Sequence, residues 1–240
     1  MGPTTPGPSL EFEEVLLRTN EFVVGLDEVG RGAVAGPLLV GAVAINTLIE
    51  PPPGLNDSKK LSPRKRESLV GPIQQWAAGW AVGAASAQEI DEWGLSRALA
   101  LAGHRAIGGL VMVPTAAIVD GPVDFLRPRT RLDDRYSENE RFEALPTQIT
   151  CLIRGDSRSA TVAAASILAK VLRDQLMEQL SIEFAEFGLA GNKGYMSAQH
   201  AQALEEYGQS PIHRTSWAIP GDKSKFRPLE RFEHQLNVWP

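Results

Sequence analysis

The chain predicts an α/β layer fold, and three features of the sequence carry that expectation. Short apolar runs rich in β-branched residues alternate with longer stretches whose apolar positions recur at helical spacing, the pattern of a sheet covered by helices. Glycine and proline clusters punctuate the boundaries. Several of the apolar runs also stop at an acid: one ends at Asp27-Glu28, one at Asp120, and one just short of Asp156.

Taken in order, residues 1–10 are rich in Pro, Gly and Thr, lack the basic-then-apolar order of a secretion signal, and predict a flexible leader. A short helix is expected over 11–20 and a first strand over 22–28. The turn Gly30-Arg31-Gly32 leads to a second strand over 38–45, rich in alanine and β-branched residues. Pro51-Pro52-Pro53-Gly54 breaks the chain, and Ser62-Pro63 supplies a cap and a first-position proline for a helix over 64–76. A third strand is expected over 80–85, one or two helices over 88–107, and strands over 116–120 and 147–153. A long helical pattern over 159–187, Ala-rich in its first half, and a short helix over 198–207 complete the series. Residues 127–143 interrupt it with five arginines (Arg127, Arg129, Arg131, Arg135, Arg141) among several acids, and read as a solvated insertion whose charges nearly cancel.

Composition narrows the classes of function. With 240 residues, 43% of them hydrophobic, the chain can bury one large core, with or without a small appendage. No apolar run approaches the roughly 20 residues that span a bilayer. A net charge of −5 argues against coating nucleic acid by bulk electrostatics, and leaves open an enzyme that uses local basic patches and metal ions. The single cysteine, Cys151, excludes an internal disulfide and fits a reducing cytoplasm; with only four histidines there is no zinc-site spacing.

The chemistry concentrates in the acids. Asp27 and Glu28 are adjacent carboxylates at a strand end, where like charges either raise a pKa or recruit a cation. Glycines flank them and let backbone N–H groups approach an anion, while Arg31 adds a cationic fork suited to phosphate. Acids at the ends of separate strands can meet beyond the sheet edge. Asp27, Glu28, Asp120 and Asp156 are enough oxygen ligands for two divalent cations roughly 3.5–4 Å apart. Taken singly, Asp120 and Asp156 read more simply as turn-forming Asp beside glycine, and the Asp27-Glu28 pair reads equally as a polar strand end before a hairpin turn. Asp57-Ser58-Lys59-Lys60-Leu61, with Arg64, Lys65 and Arg66, forms a basic cluster at a helix start, either phosphate-binding or simply solvated. Lys193-Gly194-Tyr195 sets an aromatic in a loop, where it can stack on a base or sugar or pack on the core.

These segments together resemble the ribonuclease HII family, the type 2 ribonucleases H. The resemblance runs from about Val24 to Ser216 and rests on Asp27-Glu28-Val29-Gly30-Arg31-Gly32, Asp57-Ser58-Lys59-Lys60-Leu61, Val119-Asp120-Gly121 and Gly155-Asp156-Ser157. It continues through Ala164-Ala165-Ser166-Ile167-Leu168-Ala169-Lys170-Val171 with Arg173-Asp174, Lys193-Gly194-Tyr195, and His213-Arg214 with Ser216. It implies a ribonuclease H-like fold, with a mixed central β-sheet flanked by helices and a helical C-terminal extension. The implied domains are a leader and short helix over 1–20, a catalytic domain over 21–190, and an extension and tail over 191–240.

The implied activity is endonucleolytic cleavage of the RNA strand of RNA–DNA hybrids and at ribonucleotides embedded in duplex DNA. Two Mg2+ or Mn2+ ions would assist, leaving 3′-hydroxyl and 5′-phosphate ends. By resemblance, Asp27, Glu28, Asp120 and Asp156 are the catalytic, metal-binding carboxylates. Gly30, Arg31 and Gly32 sense the ribose 2′-hydroxyl, Tyr195 stacks on a sugar, and Ser58, Lys59, Lys60 and Arg154 lie along the substrate. Arg154 stands where many relatives have Lys, and Met196 where Pro is usual. A monomer is implied. Finally, Gln235-Leu236-Asn237-Val238-Trp239 is similar to the short motif with which bacterial replication proteins dock on the sliding clamp, the alternative being a plain tail.

Overall fold

The computed structural model of the protein describes residues 7–127 and 145–221. The strands are β1 (Val23–Val29), β2 (Leu38–Ile45), β3 (Gly79–Ala85), β4 (Ala116–Asp120) and β5 (Gln148–Leu152). They form one sheet in the order β3-β2-β1-β4-β5. The β1–β2 and β2–β3 pairs are antiparallel, and β1–β4 and β4–β5 parallel, so the sheet is mixed as the resemblance implied. The helices are α1 (Glu11–Leu17), α2 (Pro63–Trp76), α3 (Ala87–Trp93), α4 (Leu95–Gly108), α5 (Ala160–Glu183), α6 (Leu189–Asn192) and α7 (Ala198–Tyr207). Among the described residues no helix is long and apolar enough to cross a membrane.

Alternation along β1 assigns its two faces. Val24 and Leu26 pack with Ile90, Leu99 and Ala102 of α3 and α4. On the opposite face, Gly25 lies under α5, where a Cβ would sit 2.4 Å from the Thr161 backbone; at Gly41 of β2 a Cβ would sit 2.3 Å from the Ala165 carbonyl oxygen. The α5 backbone therefore rests directly on β1 and β2. Glycines on the strands and Ala163, Ala164 and Ala165 on the helix permit that approach, which accounts for the Ala-rich first half of the helical pattern. The second half of α5 runs past the sheet. There Met177 joins Ala35, Phe187, Leu189, Leu204 and Ile212 in a separate core beneath the C-terminal helices.

Local chemistry sets the element ends. Ser62 caps α2, its side chain accepting from Lys65 N, with Pro63 in the first turn. The stretch 88–107 resolves into two helices because Gly94, at φ +77°, breaks it; α3 begins with a capping box between Ser86 and Glu89. The long pattern ends at Glu183 rather than 187, where Phe184 leaves helical geometry and a 3-10 turn follows over Ala185–Phe187.

The leader read from composition is held from Ser9 onward. Ser9 N donates to Arg158 O (3.0 Å), and Ser9 O accepts from Ala160 N (2.9 Å). Glu13 of α1 is fully buried at the start of α5. Its Oε1 accepts from Ser159 Oγ (2.6 Å), Thr161 N (2.9 Å) and Thr161 Oγ1 (2.7 Å), a carboxylate placed at the favourable end of the helix dipole. Residues 128–144, with four of the five insertion arginines, lie outside the described residues. Just before that insertion Phe125 and Leu126 are buried in the core, and the exposed Arg127 that opens it donates to Pro146 O (2.6 Å).

Because the partner atom at Gly41 is rigid helix backbone, Gly41→Ala is expected to destabilise the protein by about 3 kcal/mol, the upper end of overpacking costs. Urea denaturation checks this, and a change below 1 kcal/mol would contradict the direct seating of α5 on β2.

Candidate active site

Strand register gathers the acids. In the parallel pair β1–β4, Leu26 lies opposite Val119, so the next residues, Asp27 and Asp120, emerge side by side at the C-terminal ends of the strands. Oxygens of Asp27, Glu28 and Asp120 all lie within 4.8 Å of one another. Asp156 follows β5 in a 3-10 turn over Gly155–Ser157, and that turn is locked to the cluster because Gly155 N donates to Asp120 Oδ1 (2.6 Å). Asp156 is buried next to the group without belonging to the set within 4.8 Å; its charge is nevertheless felt at Asp27.

Burial and like charge set the protonation. Asp27 is buried, and desolvation, reinforced by Asp120, Glu28 and Asp156, pushes its carboxyl up to about 8 despite a hydrogen bond from Ser166. Ser166 Oγ in turn lies 2.9 Å from Ser58 Oγ, so a buried hydroxyl pair holds Asp27 from beneath. Asp156 is likewise raised, by burial and by Asp57, against the opposing charge of Lys59 Nζ at 3.5 Å. Burial pulls the Lys59 ammonium down, but Asp156, Asp27 and Asp57 outweigh it and the net shift is upward. Arg31 Nη1 lies 3.4 Å from Glu28 Oε1, with most of its side chain exposed. Three carboxylates whose oxygens converge within 4.8 Å, hard ligands of like charge, fit divalent metal ions.

Two loops border the acids. Gly30 adopts φ +86°, and a Cβ there would collide with the Arg173 guanidinium at 2.2 Å. The neighbour nearest a Cβ at Gly32 is the Tyr195 ring, at 4.0 Å. Gly194 O accepts from Val34 N (2.9 Å) and Ala35 N (3.1 Å), which sews the Gly30–Gly32 turn to the loop carrying Tyr195. Behind that loop, Ser210 N donates to His213 Nδ1 (3.0 Å), so His213 Nε2–H donates to His200 Nε2 (2.9 Å) and His200 Nδ1–H to Tyr195 O (3.1 Å). Burial, then the neighbouring His200, hold His213 down at about 4, so both rings stay neutral and act as a fixed strut.

The family model described as ribonuclease HII matches residues 24–219. The chain belongs to the ribonuclease HII family. It is therefore a nuclease of the ribonuclease H type. Its relatives include ribonuclease HII of Streptomyces coelicolor, 42% identical over 88% of this chain and 83% of that protein. Ribonuclease HII of Caulobacter vibrioides is 41% identical over 89% and 91%. Among solved structures, ribonuclease H2 of Pyrococcus horikoshii is 29% identical with a TM-score of 0.64, covering 82% of this chain and 94% of that one. The RNase HII of Archaeoglobus fulgidus, solved as a complex with PCNA, is 28% identical with a TM-score of 0.63, covering 84% and 97%.

Within this ribonuclease HII fold the expected site residues divide by exposure. Lys59, Lys60 and Arg154 are exposed and line one groove with Asp156 and Arg158. Arg154 stands in the left-handed region at φ +57°. Ser58 departs from the expected substrate contact: it is buried, and its hydroxyl faces Ser166. Arg66 also departs from the basic cluster read around residue 64, being buried and donating to Ser58 O (2.9 Å) and Leu61 O (2.7 Å). The sequence reading assigned no role to Arg173, His200, His213 or Arg214, all buried behind the two loops. No local signal marks Arg173, which sits among Lys170, Asp174, Gln175 and Glu178 in the polar half of α5.

The raised Asp27 pKa fixes the sign of a pH effect. In the metal-free protein folded Asp27 keeps its proton up to about pH 8, whereas the unfolded chain releases it near pH 4, so stability falls as pH rises between those values. Asp27→Asn removes the slope, at most about 1.4 kcal/mol per pH unit. Melting curves in chelator should show the variant gaining on the parent from pH 5 to pH 8. A gap independent of pH would contradict the buried, protonated carboxyl.

Proposed function

We propose that this protein hydrolyses the RNA strand of RNA–DNA hybrids and cuts duplex DNA at embedded ribonucleotides, leaving a 3′-hydroxyl and a 5′-phosphate. The observation that carries the reading is the convergence of Asp27, Glu28 and Asp120 within 4.8 Å, with Asp156 beside them, next to a glycine turn that faces an aromatic ring. Bound by these four carboxylates, two divalent cations, Mg2+ or Mn2+, would supply Lewis acidity to the attacking water and the leaving 3′-oxygen.

In this reading the chain's own groups bind, orient and discriminate. Ser166 and Gly155 N hold the Asp27 and Asp120 carboxylates in place. Lys59, Lys60 and Arg154 follow the phosphate backbone, and Arg31 meets the phosphate at the cut. The Gly30–Gly32 turn reads the ribose 2′-hydroxyl, the group that distinguishes RNA from DNA. The Tyr195 ring, backed by the Arg173 guanidinium 5.6 Å from its centre, stacks on the adjoining sugar.

Asp120→Asn is expected to lower cleavage of a duplex carrying one ribonucleotide by roughly 10³-fold, the scale of losing one pre-set charge-stabilising group, while duplex binding persists. Replacing that ribonucleotide with its deoxy form should stop cutting by the parent protein. Continued cutting would favour a DNA-directed nuclease on a related fold, and retained turnover in the variant would remove Asp120 from the chemistry.

We further propose that Gln235-Leu236-Asn237-Val238-Trp239 docks on the sliding clamp. Those residues lie outside the described ones. Support comes from the pentapeptide itself and from the solved Archaeoglobus fulgidus complex of RNase HII with PCNA. Deleting residues 235–240 should abolish clamp retention in a pull-down without changing cleavage of a short duplex; unchanged retention would remove the idea.

A further inference from the structure

Two guanidiniums, Arg173 and Arg214, are fully buried behind the Gly30–Gly32 turn, and among the described residues neither makes an ion pair. A buried charge without a counter-charge is costly unless hydrogen bonds replace its hydration. Here the replacements are backbone carbonyls drawn mostly from a single loop. Arg214 donates to Gly30 O (2.6 Å), Arg31 O (2.8 Å) and Gly36 O (3.3 Å). Arg173 donates to Pro37 O (2.9 Å), Ala35 O (3.2 Å) and, across the seam, Lys193 O (2.8 Å). The Arg214 plane also lies over the Trp217 ring, 4.8 Å from its centre.

This arrangement has a consequence for the opposite side of the turn. A trans peptide is planar, with its C=O and N–H pointing in opposite directions. Capture of the Gly30 and Arg31 carbonyls by Arg214 therefore turns the amides of Arg31 and Gly32 away from the core. Those two amides donate to no backbone or side-chain acceptor among the described residues, whereas Ala33 N, Val34 N and Ala35 N are all engaged. Two free N–H groups thus stand at a glycine turn beside the Tyr195 ring.

We propose that Arg214 is a positioning residue for ribose recognition: it touches no substrate, and its hold on two carbonyls keeps the Arg31 and Gly32 amides aimed where a 2′-hydroxyl is read. Arg173 braces the same loop against the Tyr195 segment. The inference rests on the reading of the turn given under Proposed function. Lysine keeps the charge but lacks the planar fork that reaches several carbonyls at once. The informative comparison is Arg214→Lys in the Asp120→Asn background, with affinities measured for two duplexes that differ in a single ribonucleotide.

The parent Asp120→Asn protein should prefer the ribonucleotide duplex, and Arg214→Lys should reduce that preference at least tenfold while affinity for the all-DNA duplex stays within twofold. A folded Arg214→Lys protein whose preference is retained within twofold, or whose two affinities fall together, would overturn the proposal. If Arg214→Lys does not fold, Trp217→Leu, which loosens the guanidinium without removing it, should cut the preference about threefold; no change there overturns it equally. Absence of any preference in Asp120→Asn itself would overturn the substrate reading and this inference with it, whereas a preference that survives Arg214→Lys overturns this inference alone.

Discussion

Mutual repulsion among carboxylates, brought together by strand register, is the constraint around which this structure is arranged. Once β1 and β4 pair in parallel with Leu26 opposite Val119, Asp27 and Asp120 must share one end of the sheet. Two unit charges at the observed separation repel by about 3–4 kcal/mol at an effective dielectric constant near 20. The compensations within the chain are smaller. Lys59 reaches the buried Asp156 from a mostly exposed position, and Arg31 reaches Glu28 likewise, and ion pairs made from solvent in this way are worth about 0–1 kcal/mol. A retained proton on Asp27 is the remaining relief, and a divalent cation is the group whose charge matches what it leaves over.

That constraint also explains how the cations are distributed. The chain is acidic overall, yet the cations near the site form two populations with different tasks. Lys59, Lys60, Arg154 and Arg31 stay exposed beside the acids, where a polyanion can meet them. Arg66, Arg173 and Arg214 are buried and donate to carbonyl oxygens, so their charge is spent on shaping loops rather than on attracting a ligand. Arg64 and Arg66 stand two residues apart on one helix and fall into different populations, because a helix turns successive side chains to different faces.

The same distinction marks how much of the protein was legible beforehand. Strand 38–45 and the helix over 64–76 are set by local signals, an unbroken apolar run and a Ser-Pro cap, and they appear with bounds within one residue of those expected. The acids were legible because each ends an apolar run, and strand ends in such sheets converge. Exposure was not legible. Ser58 and Lys59 are neighbours in one basic motif, yet one hydroxyl is buried against Ser166 and the other side chain is in solvent. The roles of Arg173 and Arg214 depend on contacts across 136 to 184 positions of chain, which no local pattern encodes.

Helix α5 makes these distant parts one unit. Ser159 and Thr161 at its start donate to Glu13, Ser166 supports Asp27, and Asp174, paired with Lys170 on the same helix, meets Arg66 behind the Ser58–Lys60 turn. Arg173 pins the loop after Gly30, and Met177 enters the C-terminal core. Residues 166, 170, 173 and 177 recur at spacings of three and four, so they form one stripe along the helix. At 1.5 Å per residue, the seven positions from Ser166 to Arg173 span about 10 Å. The distance between the acid cluster and the ribose-reading turn is thereby set by a rigid rod seated directly on the sheet rather than by loop conformation. A glycine strand under an alanine helix is then more than a packing solution: any side chain at Gly25 or Gly41 would lift the rod and shift both sets of groups together.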